Sequence, residues 1–148
     1  MAGFFSSFAI SASGLTAERL RLDLIANNIA NMNTTGTPDD PSNPPYRRRI
    51  PLFAQILKQE EETGASQPFF KGAGVRVTKV LEDNNPPRLV YEPTHPDADE
   101  RGYVAYPNIN VVNEMVNMIT ATRAYEANVT ALNAAKDMAL KALEIGRG

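Results

Sequence analysis

The chain has 148 residues, no cysteine and a formal net charge of −2 at pH 7. One domain is the default at this length, and a hydrophobic share of 43% is enough to build a core. A disulfide scaffold and a thiolate metal site are excluded, and the mildly acidic balance argues against nucleic acid as the main partner.

No apolar run reaches the ~18 residues of a membrane-spanning helix, so no direct membrane span is expected. The start, MAGFFSSFAISASGLTAERL, lacks a basic leader, and its apolar run is broken by serines and Gly14. That is not the pattern of a cleaved signal peptide. A chain without cysteine suits the cytosol, or an export route without oxidative folding.

Proline and charge are unevenly spread. All eleven prolines lie between Pro38 and Pro107, and the first 36 residues carry only Glu18, Arg19, Arg21 and Asp23 as charges. Proline lacks an amide donor and clashes within helices, so the chain reads as helix, irregular or β-rich middle, helix. The expected segments are residues 1–36, residues 37–107 and residues 108–148.

The first helix is expected from about Ser6 to about Met32. Phe8, Leu15, Leu22 and Ile29 recur every seven residues, with Ile25 and Met32 three residues on from Leu22 and Ile29. That spacing makes a coiled-coil-type seam. Gly14, Asn27, Asn28, Asn31 and Asn33 lower helix propensity, so the helix needs burial to persist. Asn33-Thr34-Thr35-Gly36 should end it.

The segment TPDDPSNPP is a loop. Strands are expected over Tyr46–Leu57, Gly74–Glu82, Arg88–Glu92 and Gly102–Tyr106, with Pro51 marking an edge or bend. Lys58–Gln67 reads as a surface loop, and THPDADER as a turn.

The last helix is expected from Asn110, as N-cap, to Gly146. Val111, Met118, Tyr125, Leu132 and Ala139 form one row of seven-residue spacing, and Met115, Thr122, Val129 and Leu143 a second. Val112, Val116, Ile119 and Met138 spread apolar surface over the rest. A helix in a monomer keeps a broad polar face, so this one is expected to be buried on several sides by partners.

The site-like clusters favour ordinary readings. Asn27, Asn28 and Asn31 suit helix-end or interhelix hydrogen bonds better than a ligand site. Arg47, Arg48 and Arg49 read as a solvated or salt-bridged face, with Glu60, Glu61 and Glu62 following. His95 with Asp97, Asp99 and Glu100 lacks the midpoint glycine of a calcium loop. No nucleophile–base constellation is present. No catalytic residue, cofactor or metal is expected.

Two stretches carry a resemblance. ANNIANMNTTG at Ala26 to Gly36 resembles the N-terminal signature of the bacterial flagellar axial (rod/hook) protein family. NINVVNEMVNMITATRAYEANV at Asn108 to Val129 is similar to its C-terminal signature. PYRRR at Pro45 to Arg49 and LVYEPTHPDADERGYV at Leu89 to Val104 resemble the proximal-rod branch. The likeness covers nearly the whole chain apart from residues 37–44 and 58–71.

The resemblance implies an α+β fold, in which long N- and C-terminal helices pair as a coiled coil around a small, mostly antiparallel β unit. It implies a structural subunit of the flagellar basal-body proximal rod that polymerises helically into a hollow, torque-transmitting shaft across the periplasm. Implied partners are copies of itself, other rod proteins, the MS-ring/rod junction protein and the flagellar type III export apparatus. The implied assembly interface is Phe8, Leu15, Leu22, Ile25, Asn27, Asn28, Ile29, Asn31, Val111, Met115, Met118, Tyr125, Val129 and Leu132. Without the resemblance, the same helices suit a soluble coiled-coil adaptor with a β insertion.

Overall fold

The computed structural model describes residues 2–60 and 69–146. Six elements follow in order: α1 (Ala2–Ala30), β1 (Arg49–Glu60), β2 (Phe69–Glu82), β3 (Arg88–Tyr91), β4 (Tyr103–Tyr106) and α2 (Val111–Gly146). The architecture is α+β, with two terminal helices and small antiparallel sheets. β1 pairs with β2, and β3 with β4. No helix among the described residues is long and apolar enough to cross a membrane.

The helix ends have local causes. Asn110 Oδ1 accepts the Asn113 amide at 3.2 Å, which is an N-cap that satisfies an otherwise orphan donor of α2. The helix then runs 36 residues without proline, ~54 Å at 1.5 Å per residue. α1 closes over Asn31–Asn33, where Thr34 Oγ1 caps the Asn31 carbonyl at 2.7 Å. Asn27 and Asn31 turn their side-chain amides onto carbonyls four residues back. These two asparagines therefore serve their own helix.

β1 continues to Glu60, past the Leu57 expected from alternation, and β2 begins earlier, at Phe69. The β-forming pair Phe69-Phe70 extends β2 ahead of Gly74. Part of the expected loop over 58–67 is thus strand, and residues 61–67 lie outside the described set.

The chain groups into two compact units. The first draws on residues 1–20, 52–79 and 121–148. In it, Ser13 Oγ accepts the Val75 amide at 3.1 Å and donates to the Ile10 carbonyl at 2.6 Å, fastening β2 to α1. Gly74, at φ 120°, lies so close to Ser13 that any side chain would collide with it. Glycine alone meets both demands. Ala17, Ala121 and Ala135 supply its buried apolar surface.

The second unit draws on residues 21–51 and 80–120. Its core contains Leu24, Ile25, Val104 and Ala105. The β3–β4 register sets Leu89 opposite Ala105 and Tyr91 opposite Tyr103. Gly36 adds a third rung, exchanging two 2.9 Å backbone hydrogen bonds with Ala105. Asp97 accepts from Thr35 and Asn43, which ties the end of α1 and the following loop to the β3–β4 connection. Asp99 Oδ1 caps that connection by accepting the amides of Arg101 and Tyr103.

Burial along the helices departs from the rows drawn by apolarity. On α2 the buried positions are Glu114, Ala121 and Ala135, with Asn128 half-buried in the same seven-residue row. Met118, Tyr125, Leu132 and Ala139 flank that row half-buried, whereas Met115, Thr122 and Leu143 are exposed. The inward row is small and polar, so a search for large apolar side chains passes over it.

A side chain at Gly36 would sit 2.5 Å from Pro45 N and 2.9 Å from the Asn43 carbonyl oxygen, both backbone atoms. Gly36→Ala is expected to lower unfolding free energy in urea by about 3 kcal/mol, the upper range for overpacking. Gly146→Ala, with nothing within 4 Å of the added carbon, should stay within ~0.5 kcal/mol of the native chain.

Candidate functional site

In the second unit, one buried side chain gathers three separate stretches of sequence. Asn28 is 1% exposed, and its amide makes four hydrogen bonds. Nδ2 donates to the Arg49 carbonyl at 2.9 Å and to Glu114 Oε2 at 3.1 Å. Oδ1 accepts the Arg49 amide at 2.9 Å and the Tyr46 hydroxyl at 3.1 Å. Two donors and two acceptor sites are all that a carboxamide has, so its capacity is filled. Toward Arg49 the side chain acts as a strand neighbour, trading both backbone bonds at the point where β1 begins.

The Glu114 side chain is fully buried. Arg48 meets Glu114 Oε1 through Nε at 2.8 Å and Nη2 at 2.6 Å, which leaves Oε2 for Asn28. A carboxylate removed from water is tolerable only with such pairing and bonding. Arg48 keeps partial access to solvent. Burial raises the Tyr46 phenol above its ordinary value, which keeps the hydroxyl protonated as the donor Asn28 requires. The Arg49 guanidinium lies 5.7 Å from the Tyr46 ring centre and 3.7 Å from Glu82.

The basic cluster thus divides its work. Arg48 holds Glu114, Arg49 approaches Glu82, and Arg47 donates to Asn84 at 3.4 Å. The expected pairing with Glu60, Glu61 and Glu62 lies outside the residues whose side chains are described. Glu114 was hidden in the sequence as one charge among apolar neighbours. Its signal is position, seven residues before Ala121 and fourteen before Asn128.

The other sequence-derived interface residues are dispersed. Ile25 is buried, and Leu15, Leu22, Ile29, Val111, Met118, Tyr125, Val129 and Leu132 are half-buried. Phe8 and Met115 are exposed, as is Asn27. The network joins Asn28 alone, of the three asparagines, to α2. At the β3–β4 connection, His95 Nδ1 accepts the Asp97 amide at 3.1 Å, and the carboxylates of Asp97 and Asp99 are committed to local donors. A cleft of about 300 Å³ beside Pro44, Tyr46 and Arg47 is lined by no nucleophile–base pair.

Two family models match the helices that meet here. The model for flagella basal body rod proteins covers residues 8–36, and that for the C-terminal region of flagellar basal body rod FlgEFG proteins covers residues 100–145. Flagellar basal-body rod protein FlgC of Borreliella burgdorferi is 46% identical over 99% of both chains. FlgC of Bacillus subtilis is 44% identical over 97% of this chain and 98% of its own. FlgC of Escherichia coli O6:H1 is 42% identical over 95% and 96%.

The chain belongs to the flagellar basal-body rod protein FlgC family. It is a structural rod subunit and not an enzyme. The two regions matched by the rod-family models meet at the hydrogen bond between Asn28 and Glu114. What this rod-family site does chemically is hold: it fixes one helix to the other and both to the root of β1.

Glu114→Ala would leave Arg48 and the Asn28 amide short of an acceptor. It is expected to lower stability by about 3 kcal/mol in urea unfolding, at the low end for a broken buried pair because Arg48 can turn to water. Asn28→Asp keeps the shape but sets a second carboxylate against Glu114. It should lower stability at pH 7 by at least as much as Asn28→Ala, about 2–3 kcal/mol.

Proposed function

We propose that this rod-family subunit builds the proximal rod by helical polymerisation through its terminal helices, forming a hollow shaft that transmits torque. The observation that carries this reading is the outer face of α2. Val112, Met115, Val116 and Ile119 share one face at i, i+3, i+4 and i+7, and each is more than half exposed. Leu143 and Ile145 continue the exposure near the end of the helix. A subunit that leaves such residues in water has burial to gain from neighbours. Contacts between unlike surfaces that do not close produce a helical filament.

The helices pair as an antiparallel coiled coil in this reading. Two contacts support it: Asn28 with Glu114 and Gly14 with Asn128, in which rising numbers on α1 match falling numbers on α2. The partners are further copies, other rod proteins and the junction protein of the MS ring. The subunit reaches the rod, which crosses the periplasm, through the flagellar type III export apparatus.

The test is Val116→Glu with Ile119→Glu, produced in a strain lacking the native copy. Far-ultraviolet circular dichroism of the purified chain should match the native chain, since both side chains face solvent. Swimming should fall to the level of the deletion strain, and isolated basal bodies should lack the subunit. Normal motility with the doubly charged subunit present in intact rods would sink the proposal. Motility that is normal without the subunit in basal bodies would favour an adaptor.

A further inference from the structure

Resting on the helix pairing above, we propose that α1 and α2 are held in one register by two specific fits, one in each unit: a buried polar contact, and a notch at a glycine that admits an asparagine. In the second unit, the buried Asn28 amide donates to buried Glu114 at 3.1 Å. In the first, the Asn128 side chain lies in the space that Gly14 leaves, where a β-carbon would come within 2.9 Å of Oδ1. Asn128 Nδ2 is meanwhile fixed to the Ala124 carbonyl at 2.9 Å, so the amide is held in place. The residue numbers of both pairs add to 142, so contacts four helical turns apart specify the same alignment.

The remaining inward positions discriminate poorly. Ala17, Ala121 and Ala135 are small, and Met118, Tyr125, Leu132 and Ala139 repeat at seven residues. A helix displaced by seven residues would present an equivalent surface. Neither fit survives that displacement. With pairs adding to 149, Asn28 would face Ala121, which offers its amide no side-chain acceptor. Asn128 would face Arg21, where the room left by Gly14 is gone, and Glu114 would face Thr35, past the end of α1. Asn28 and Glu114 parted from each other are costly, which is how one polar residue selects a register among apolar alternatives, whereas Asn128 keeps its Ala124 carbonyl and loses only its room.

The chain has no cysteine, so paired thiols can be placed without background. Ser7→Cys with Ala135→Cys reports the alignment adding to 142, and Ser7→Cys with Ala142→Cys reports a slip of seven. All three replaced side chains are small. In the otherwise native full-length chain, the first pair should oxidise within the molecule and the second should not.

Adding Glu114→Leu and Asn128→Leu should cut the first yield at least threefold and raise the second, with helix content by circular dichroism retained. Glu114→Gln alone, which keeps an acceptor for Asn28, should preserve the native pattern. Unchanged yields in the doubly apolar chain would overturn the register lock while leaving the pairing intact. Failure of the first pair to close in the native background would overturn the pairing and the lock together. If the double variant loses its helices, Asn128→Leu alone, on the half-buried site, decides by the same two yields.

Discussion

The arrangement depends on a single constraint: a carboxylate buried between two helices must have a partner on each oxygen. Glu114 meets it with Arg48 on one oxygen and Asn28 on the other. Asn28 can serve only because Tyr46 and the Arg49 backbone fill the rest of its amide. The chain between residues 46 and 49 is thereby fixed to both helices, and β1 starts from a defined point. A neutral hydrogen bond contributes about 1 kcal/mol net, but an orphaned buried ion costs several times that. The network is therefore closer to all-or-none than to a sum of bonds.

This inverts the usual amphipathic arrangement. On α2 the inward row is Glu114, Ala121, Asn128 and Ala135, while Val112, Met115, Val116 and Ile119 face out. Small inward residues leave room for a close neighbour, and Asn28 links to Glu114 across the two helices. The large apolar residues then remain available for other molecules. For a rod subunit, leaving these side chains exposed is consistent with its role.

Several local features were readable beforehand because they depend on neighbours in sequence. Asn110 was legible as a cap, and the helix-free middle followed from where proline falls. The short strands β3 and β4 lay where β-forming residues sat between turn signals. The strand limits at Leu57 and Gly74 were not, because β1 and β2 extend by pairing with each other. The seam rows and the burial differ: Met118, Tyr125, Leu132 and Ala139 are half-buried beside the buried row of α2, while Met115 and Thr122 are exposed. Nor did composition distinguish Asn28 from Asn27 and Asn31. The last two bond to their own helix, and only the first points at Glu114.

By itself the sequence determined two proline-free helical ends, a β-bearing middle and the signatures of a rod subunit. These are local or compositional properties, set by backbone chemistry within a few residues. Tertiary structure alone decided that Arg48 reaches Glu114 across 66 positions, and that Gly36 and Gly74 must be glycine for lack of space. Such facts depend on which distant atoms arrive within about 3 Å of one another, and spacing along a chain carries no record of that.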